Sequence, residues 1–497
     1  MSSEMQPNQA SLPRVLGPVE SLCVVVGSVI GSGIFIVPAE VARDVPYLGT
    51  IVLVWILGGI FSAAGALTLA ELGAMLPRAG GPYVYLRAAY GPLPAFLFGW
   101  TEFLIVRTGS MATLAAAFAR YFVQLVPPPT GLRGEIWQAG AAVTAIGVVT
   151  IINVLSTKLG GKLQVAGTAL KVGGILGLIA LPFIVGGGDS SRLSPLWPSS
   201  ISPSLLSGMM AAMVGVLWAY DGWINVTPLA EEVREPHRNI PRALIFGMGT
   251  LIVLYLMMTL AYHWVLPLPE IASLGSEKAA EKAVAATYCS QLLGKKGVLA
   301  ISLVVMASTF ISLNGNALTG PRAYFAMARD GLFPARVCRV HPRFQTPANS
   351  VLAQGSWAIA LTVIGTALIL APAPAADSAL PGPILAAWTK LNKTPLYTVL
   401  YTYVIFGANL FYLLAIASVF VLRVRRPDLP RPYRTWGYPI TPFVYVIAAI
   451  TLLGNMLYQT PTESFAGVLI VALGLPAYWS FSRKLNKTAV PEPAILK

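Results

Sequence analysis

Val29-Ile30-Gly31-Ser32-Gly33-Ile34-Phe35 interrupts the first long apolar stretch of the chain. Residues 19 to 38 are enough to cross a bilayer, since a spanning helix takes roughly 20 apolar residues. Gly31, Ser32 and Gly33 sit near the middle of that stretch. Glycine is a poor helix former, and two of them around a serine invite the helix to unwind. Open backbone at membrane depth is tolerated only where protein or a water-filled cavity satisfies it. A break at this depth marks a candidate small-molecule site.

The 497 residues are 56% hydrophobic and 11% charged, with a mean hydropathy of +0.69. Soluble proteins average about 25% charged residues, so the chain reads as an all-α polytopic membrane protein. Its first dozen residues are polar, and no cleaved signal peptide is expected. Three histidines form no zinc or haem pattern, and neither metal nor cofactor is expected. Cys23, Cys289 and Cys338 lie far apart and imply no disulfide framework. Cys23 falls inside the first span and reads as a small buried apolar residue.

A net charge of +14 raises the question of nucleic acid. The distribution of the charge argues against it. Twelve apolar segments lie near residues 16–40, 48–76, 91–124, 136–156, 163–186, 204–230, 241–266, 298–328, 347–371, 397–422, 440–459 and 465–482. With the N-terminus inside, the inner loops carry about 21 Lys and Arg and the outer loops about 9. Arg107, Arg120, Lys171 and Arg322 fall within spans. This positive-inside bias places both termini in the cytoplasm, and a plasma (inner) membrane location is expected.

A second interruption, Trp218-Ala219-Tyr220-Asp221-Gly222-Trp223, falls in the sixth span. The first and sixth spans run in opposite directions, and two broken helices at matching positions of inverted five-span halves point to a transporter site at the midplane. The halves are residues 15–186 and 204–422. Two further helices occupy 440–482, with tails at 1–14 and 483–497. For each break alone, a packing glycine at a close helix crossing is the bland alternative.

A half-helix starting near Gly31 offers unpaired N–H groups and a positive dipole end, which together bind a carboxylate. Gly31, Ser32 and Gly33 are assigned to that carboxylate, with the Ser32 hydroxyl available to help. The carbonyls of Val29, Trp218 and Asp221 are assigned to an ammonium, so the pair of breaks fits an α-amino acid zwitterion. Ile30, Ala219 and Asn225 complete the candidate pocket, and Trp218 is the candidate gate. Lipid-interface anchoring is the alternative for Trp218 and Trp223.

Lys171 lies about eight residues into the fifth segment, roughly 12 Å deep. An ammonium there is costly without partners. It reads either as a snorkelling side chain or as a cation linking the first span to the eighth, where Ser308, Thr309 and Ser312 offer hydroxyls. Glu102 and Arg107, five residues apart, read equally well as a structural or a functional pair. Glu71 reads as structural, near the inner gate. Asn314 and Asn316 are candidate pocket contacts, and the mixed charges of Glu231 to Pro241 can pair with Arg322 or Arg329 to hold that gate.

Gly31-Ser32-Gly33-Ile34-Phe35, Ala70-Glu71-Leu72-Gly73, Arg78-Ala79-Gly80-Gly81-Pro82-Tyr83, Ala219-Tyr220-Asp221-Gly222-Trp223 and the run from Glu232 to Pro241 resemble the amino acid–polyamine–organocation superfamily. Within it, the chain most resembles the L-type amino acid transporters, the light subunits of heteromeric exchangers, and their bacterial relatives. The similarity extends over residues 15–479. The resemblance implies a LeuT-like fold of 5+5 inverted repeats plus two helices, alternating access, and amino acid transport, often by exchange. By position it implies a lysine–serine link at Lys171 and Ser312 in place of a sodium ion. Animal light subunits join a single-span glycoprotein through a cysteine between spans three and four. Residues 127–135 hold none, so a lone bacterial-type transporter without a disulfide-linked heavy subunit is expected. Tryptophan at 218 and aspartate at 221, where large-neutral members carry phenylalanine and glycine, favour small to mid-sized neutral substrates. The loop at 372–394 is longer than usual for the family.

The reading is thus a sodium-independent antiporter of neutral amino acids, its partners being that substrate and membrane lipid. Two alternatives stay within transport: a proton-coupled symporter using Lys171, and a cationic amino acid or polyamine carrier using the Asp221 carboxylate. A transport-dead receptor would want a signalling domain, and an intramembrane enzyme would want converging catalytic groups; neither feature is visible in the sequence.

Overall fold

The computed structural model describes residues 11–274, 284–371, 396–459 and 461–487. Among these, the regular structure is helical apart from one isolated bridge between Leu16 and Val233. Eleven helices are long and apolar enough to cross a membrane, or twelve when Pro18–Val29 and Gly33–Asp44, bent by 41° at their junction, count as one broken span. That pair is the first span. The others match the apolar segments closely, from Leu48–Met75 (second) through Leu396–Arg425 (tenth), Ile440–Gln459 (eleventh) and the pair Pro461–Ala472 and Gly474–Lys487 (twelfth).

Three details depart from the apolar pattern. The fifth span starts at Thr157, not near 163, because Ser156 caps it by accepting from Leu159 N. The third span is not a continuous α-helix: Pro92–Thr101 passes through a π turn at Glu102–Val106 into Arg107–Leu125. The sixth span is α-helical over Pro203–Ala219 and resumes as a 3₁₀ helix over Trp223–Leu229. Pro228 removes an N–H from that second half, and Ile224, Val226 and Thr227 are β-branched.

Spans one and six pack together, as do two and seven, three and eight, and four and nine. Each partner is thus the element at the equivalent place in the other half of the chain. Residues 11–17 are not a free tail. Leu12 and Leu16 are buried, and Leu16 exchanges backbone hydrogen bonds with Glu232 and Arg234. The long loop at 372–394 lies outside the described residues.

Candidate substrate site

The two breaks meet. Gly33 lies against Ala219, so closely that a Cβ on it would fall 2.8 Å from the Ala219 Cα. Gly222 has φ +117, and a Cβ there would fall 3.0 Å from the Ser28 carbonyl carbon. Both glycines exist because backbone crosses backbone at this point, and Gly222 also because L side chains avoid that φ.

Beside the crossing is a chamber, partly open to solvent. It is lined by Val29, Gly31, Ser32 and Gly33 from span one and by Trp218, Ala219, Asp221 and Asn225 from span six. Eight of the nine residues expected to hold substrate therefore share one cavity. Ile30 is the exception. It is fully buried, and its carbonyl accepts from Lys171 Nζ at 2.6 Å and from Ser308 and Ser312 at 3.1 and 3.2 Å. Unwinding turns this carbonyl toward the fifth and eighth spans, away from the chamber. Among the described residues, neither Ser32 N nor Gly33 N donates to a protein acceptor, as the first turn of a helix requires. The Val29 carbonyl already accepts from Gly31 N at 2.7 Å and Tyr255 Oη at 3.1 Å.

Lys171 does not snorkel. It sits fourteen residues past Thr157, about 21 Å along the helix, and is 2% exposed. Its ammonium has three donors and reaches three acceptors: Gly27 O and Ile30 O at 2.6 Å each and Ser312 Oγ at 2.7 Å. The Lys171 side chain thus ties the unwound end of span one to span eight. Thr309 takes no part, since its hydroxyl bonds to Val305 and Met306 carbonyls of its own helix.

The sequence left Glu102 and Arg107 undecided. In an α-helix, residues five apart do not face each other. The π turn between them, with its i to i+5 bonding, brings Arg107 Nε to 2.5 Å from Glu102 Oε2. Arg107 also bonds to Asn225 Oδ1 and reaches Asn316 Oδ1 at 3.4 Å. It lines the chamber together with Ser110, Asn316 and Tyr412. Asn316 is thus the pocket contact it was expected to be. Asn314 is not: its amide donates to Gly160 O at 3.1 Å and Gln164 Oε1 at 3.0 Å, between spans five and eight.

Trp218 is half-buried at the chamber wall, whereas Trp223 is 3% exposed and packs edge-on to Tyr445, so neither serves as a lipid anchor. On the face that carries the N-terminus, ion pairs join the elements below the breaks. Glu232 and Arg322 form a two-point ion pair at 2.7 and 2.9 Å with both side chains fully buried. Glu231 accepts from Leu12 N, Ala79 N and Arg329 Nη1 at 2.9, 3.1 and 2.8 Å. The charged run after span six does hold spans one, two and eight together there. Glu71 joins span two to span ten through Arg423 at 2.7 and 2.9 Å and takes Thr435 N and Oγ1, away from the chamber.

A family model described as amino acid permease matches residues 16–476. The chain belongs to the amino acid permease family. This permease is 29% identical over 482 residues to the serine/threonine exchanger SteT of Bacillus subtilis, covering 97% of this chain and 99% of the relative. It is 29% identical to the b(0,+)-type amino acid transporter 1 of Mus musculus, covering 95% and 88%. It is 28% identical to the cystine/glutamate transporter of Homo sapiens, covering 95% and 86%. The permease is an integral membrane protein of a transporter family. The fold class and family read from its motifs are those found.

Proposed function

We propose that this permease is a sodium-independent exchanger of neutral, small to mid-sized L-amino acids, working by alternating access in the plasma membrane with both termini cytoplasmic. Residues 15–186 and 204–422 are its two inverted repeats. The substrate carboxylate meets the N–H groups of Gly31, Ser32 and Gly33. Its ammonium meets carbonyls at Trp218 and Asp221, with Val29 contributing once Tyr255 or Gly31 gives way. Trp218 closes over the bound zwitterion. No disulfide-linked subunit belongs to this reading.

The observation that carries it is the Lys171 ammonium bonded to Gly27 O, Ile30 O and Ser312 Oγ. Carbonyls turned out by an unwound helix form a cation site, and here a side chain already fills it. A sodium ion has no vacancy to bind in, and a tethered side chain does not leave with the substrate.

Proteoliposomes preloaded with unlabelled L-serine should take up labelled L-serine or L-alanine far faster than empty vesicles, at the same rate in sodium and in potassium. Equal uptake into empty and loaded vesicles removes the exchange claim, and a sodium requirement removes the role given to Lys171.

A further inference from the structure

The chamber at the breaks continues into a second one. The two share Ser110, Trp218, Asp221 and Tyr412 as common walls. The second lies between spans two, six, ten and eleven, and its lining includes Ser62, Trp223 and Tyr445. Span eleven lies outside the two repeats, and no residue in it stands out in the sequence as a substrate contact.

Trp223, Tyr412 and Tyr445 form an aromatic group, with Trp223 edge-on to Tyr445 at 5.9 Å and 6.3 Å from Tyr412. Tyr445 is pressed against span two at Gly65, where a Cβ would fall 2.6 Å from its ring. The rings fill space as hydrophobic residues would. Their hydroxyls differ: Tyr412 and Tyr445 line the second chamber, and among the described residues neither Oη hydrogen-bonds to the protein. Asp221 lines both chambers, which places it at their junction, and both tyrosines line the second one with it. A carboxylate only accepts, whereas a phenol can donate or accept. A buried set of this kind selects by leaving its polar groups unpaired when the wrong ligand binds.

We infer that the second chamber is the side-chain compartment for the substrate and that Asp221 and Tyr445 read a hydroxyl on it, so that hydroxyl-bearing amino acids bind in preference to alanine. The inference rests on the zwitterion site proposed above. A hydroxyl suits the place better than an ammonium does. Arg107 lines the first chamber together with Asp221, and a cationic side chain would enter past that guanidinium. The serine hydroxyl can donate to Asp221 while accepting from Tyr445. Alanine offers neither contact.

Ligand-induced stabilisation of the purified full-length protein reads binding by mass action without needing transport. For the wild type, the apparent Kd for L-serine and L-threonine should be about 3- to 10-fold below that for L-alanine, the worth of one or two buried hydrogen bonds. Tyr445→Phe keeps the ring against Trp223 and Gly65. It should bring that ratio close to one while leaving the alanine Kd within about twofold. Asp221→Asn, which can still accept, should weaken serine less than Tyr445→Phe combined with Asp221→Ala. A ratio unmoved by Tyr445→Phe overturns the inference, as does an alanine Kd that moves in step with serine. Tighter binding of L-lysine than L-serine overturns the hydroxyl assignment. Stabilisation by alanine with no preference for serine refutes only the side-chain compartment, whereas no stabilisation by any amino acid refutes the zwitterion site itself.

Discussion

The two broken spans are open for different reasons. In span one, the carbonyls freed at Gly27 and Ile30 are held from outside, by Lys171 of the fifth span and by Ser308 and Ser312 of the eighth. In span six the break is closed within the chain itself. Tyr220 N donates to Val216 O, Asp221 N to Trp218 O and Asn225 N to Gly222 O, around a glycine with φ +117. The first break, which also carries Ile30 N to Val26 O and Gly31 N to Val29 O, therefore leans on its neighbours as well as on its own sequence, whereas the sixth is closed chiefly by its own backbone. A tether made by neighbours can be released when those neighbours move. A turn written into the chain travels with it. Alternating access needs one part of the site that changes partners and one that keeps its shape, and the function proposed above assigns those tasks to the first and the sixth break.

The largest effect should come from removing the tether. Lys171→Ala withdraws a charged donor from two carbonyls and a hydroxyl, and hydrogen bonds to charged groups contribute about 1.5–3 kcal/mol each. Exchange in proteoliposomes should fall by at least about 100-fold, since each 1.4 kcal/mol is a factor of ten. Amide hydrogen exchange should quicken over residues 27–33 while residues 216–225 keep their protection. Equal quickening at both breaks would erase the distinction between them.

The next effect should come from the intrinsic turn. Gly222→Ala forces a methyl into a φ that L residues avoid and against the Ser28 backbone, a strain of about 1–3 kcal/mol. The thermal midpoint of the purified protein should fall, and exchange should drop about tenfold. Gly31→Ala is the matching change in span one. Its nearest neighbours to a new Cβ stand at 3.8 and 3.9 Å and its φ is not positive, so its midpoint should stay close to wild type. Similar losses from both substitutions would mean that the first break also depends on glycine geometry.

Much of this was readable from residues. Gly31-Ser32-Gly33 announces its break because three poor helix formers interrupt an apolar run, and Lys171 announces itself because a charge so deep needs a reason. The Glu232–Arg322 lock was legible as charges in need of partners. The π turn was not: Glu102 to Val106 is Glu-Phe-Leu-Ile-Val, an ordinary apolar helix by composition, and the extra residue per turn arises only from packing. Tyr412 and Tyr445 were invisible for a related reason, since an aromatic residue in an apolar span looks the same whether it faces lipid or a cavity. Asn314 was grouped with Asn316 although residues two apart on a helix point about 200° apart. That geometry allowed only one of them into the chamber.

The smallest expected effect tests whether the two breaks move independently. Tyr255, on span seven, donates through one hydroxyl to Val29 O at 3.1 Å and Ala219 O at 3.2 Å, one acceptor from each break. Its ring is fixed by edge-on contacts with Trp55 and by Tyr220, so Tyr255→Phe removes the shared proton and little else. A neutral hydrogen bond contributes about 0.5–1.5 kcal/mol, and a shared one lies at the lower end. Exchange should change about two- to fourfold, and the Val29 carbonyl becomes free to accept the substrate ammonium. If the tether of span one releases separately from the turn of span six, losing this bridge should lower the apparent Km for exchange while slowing or sparing turnover. If the breaks move as one body, the bridge is never broken during transport. Km and turnover should then both stay at wild-type values, and the division of tasks drawn from the hydrogen bonds would not survive.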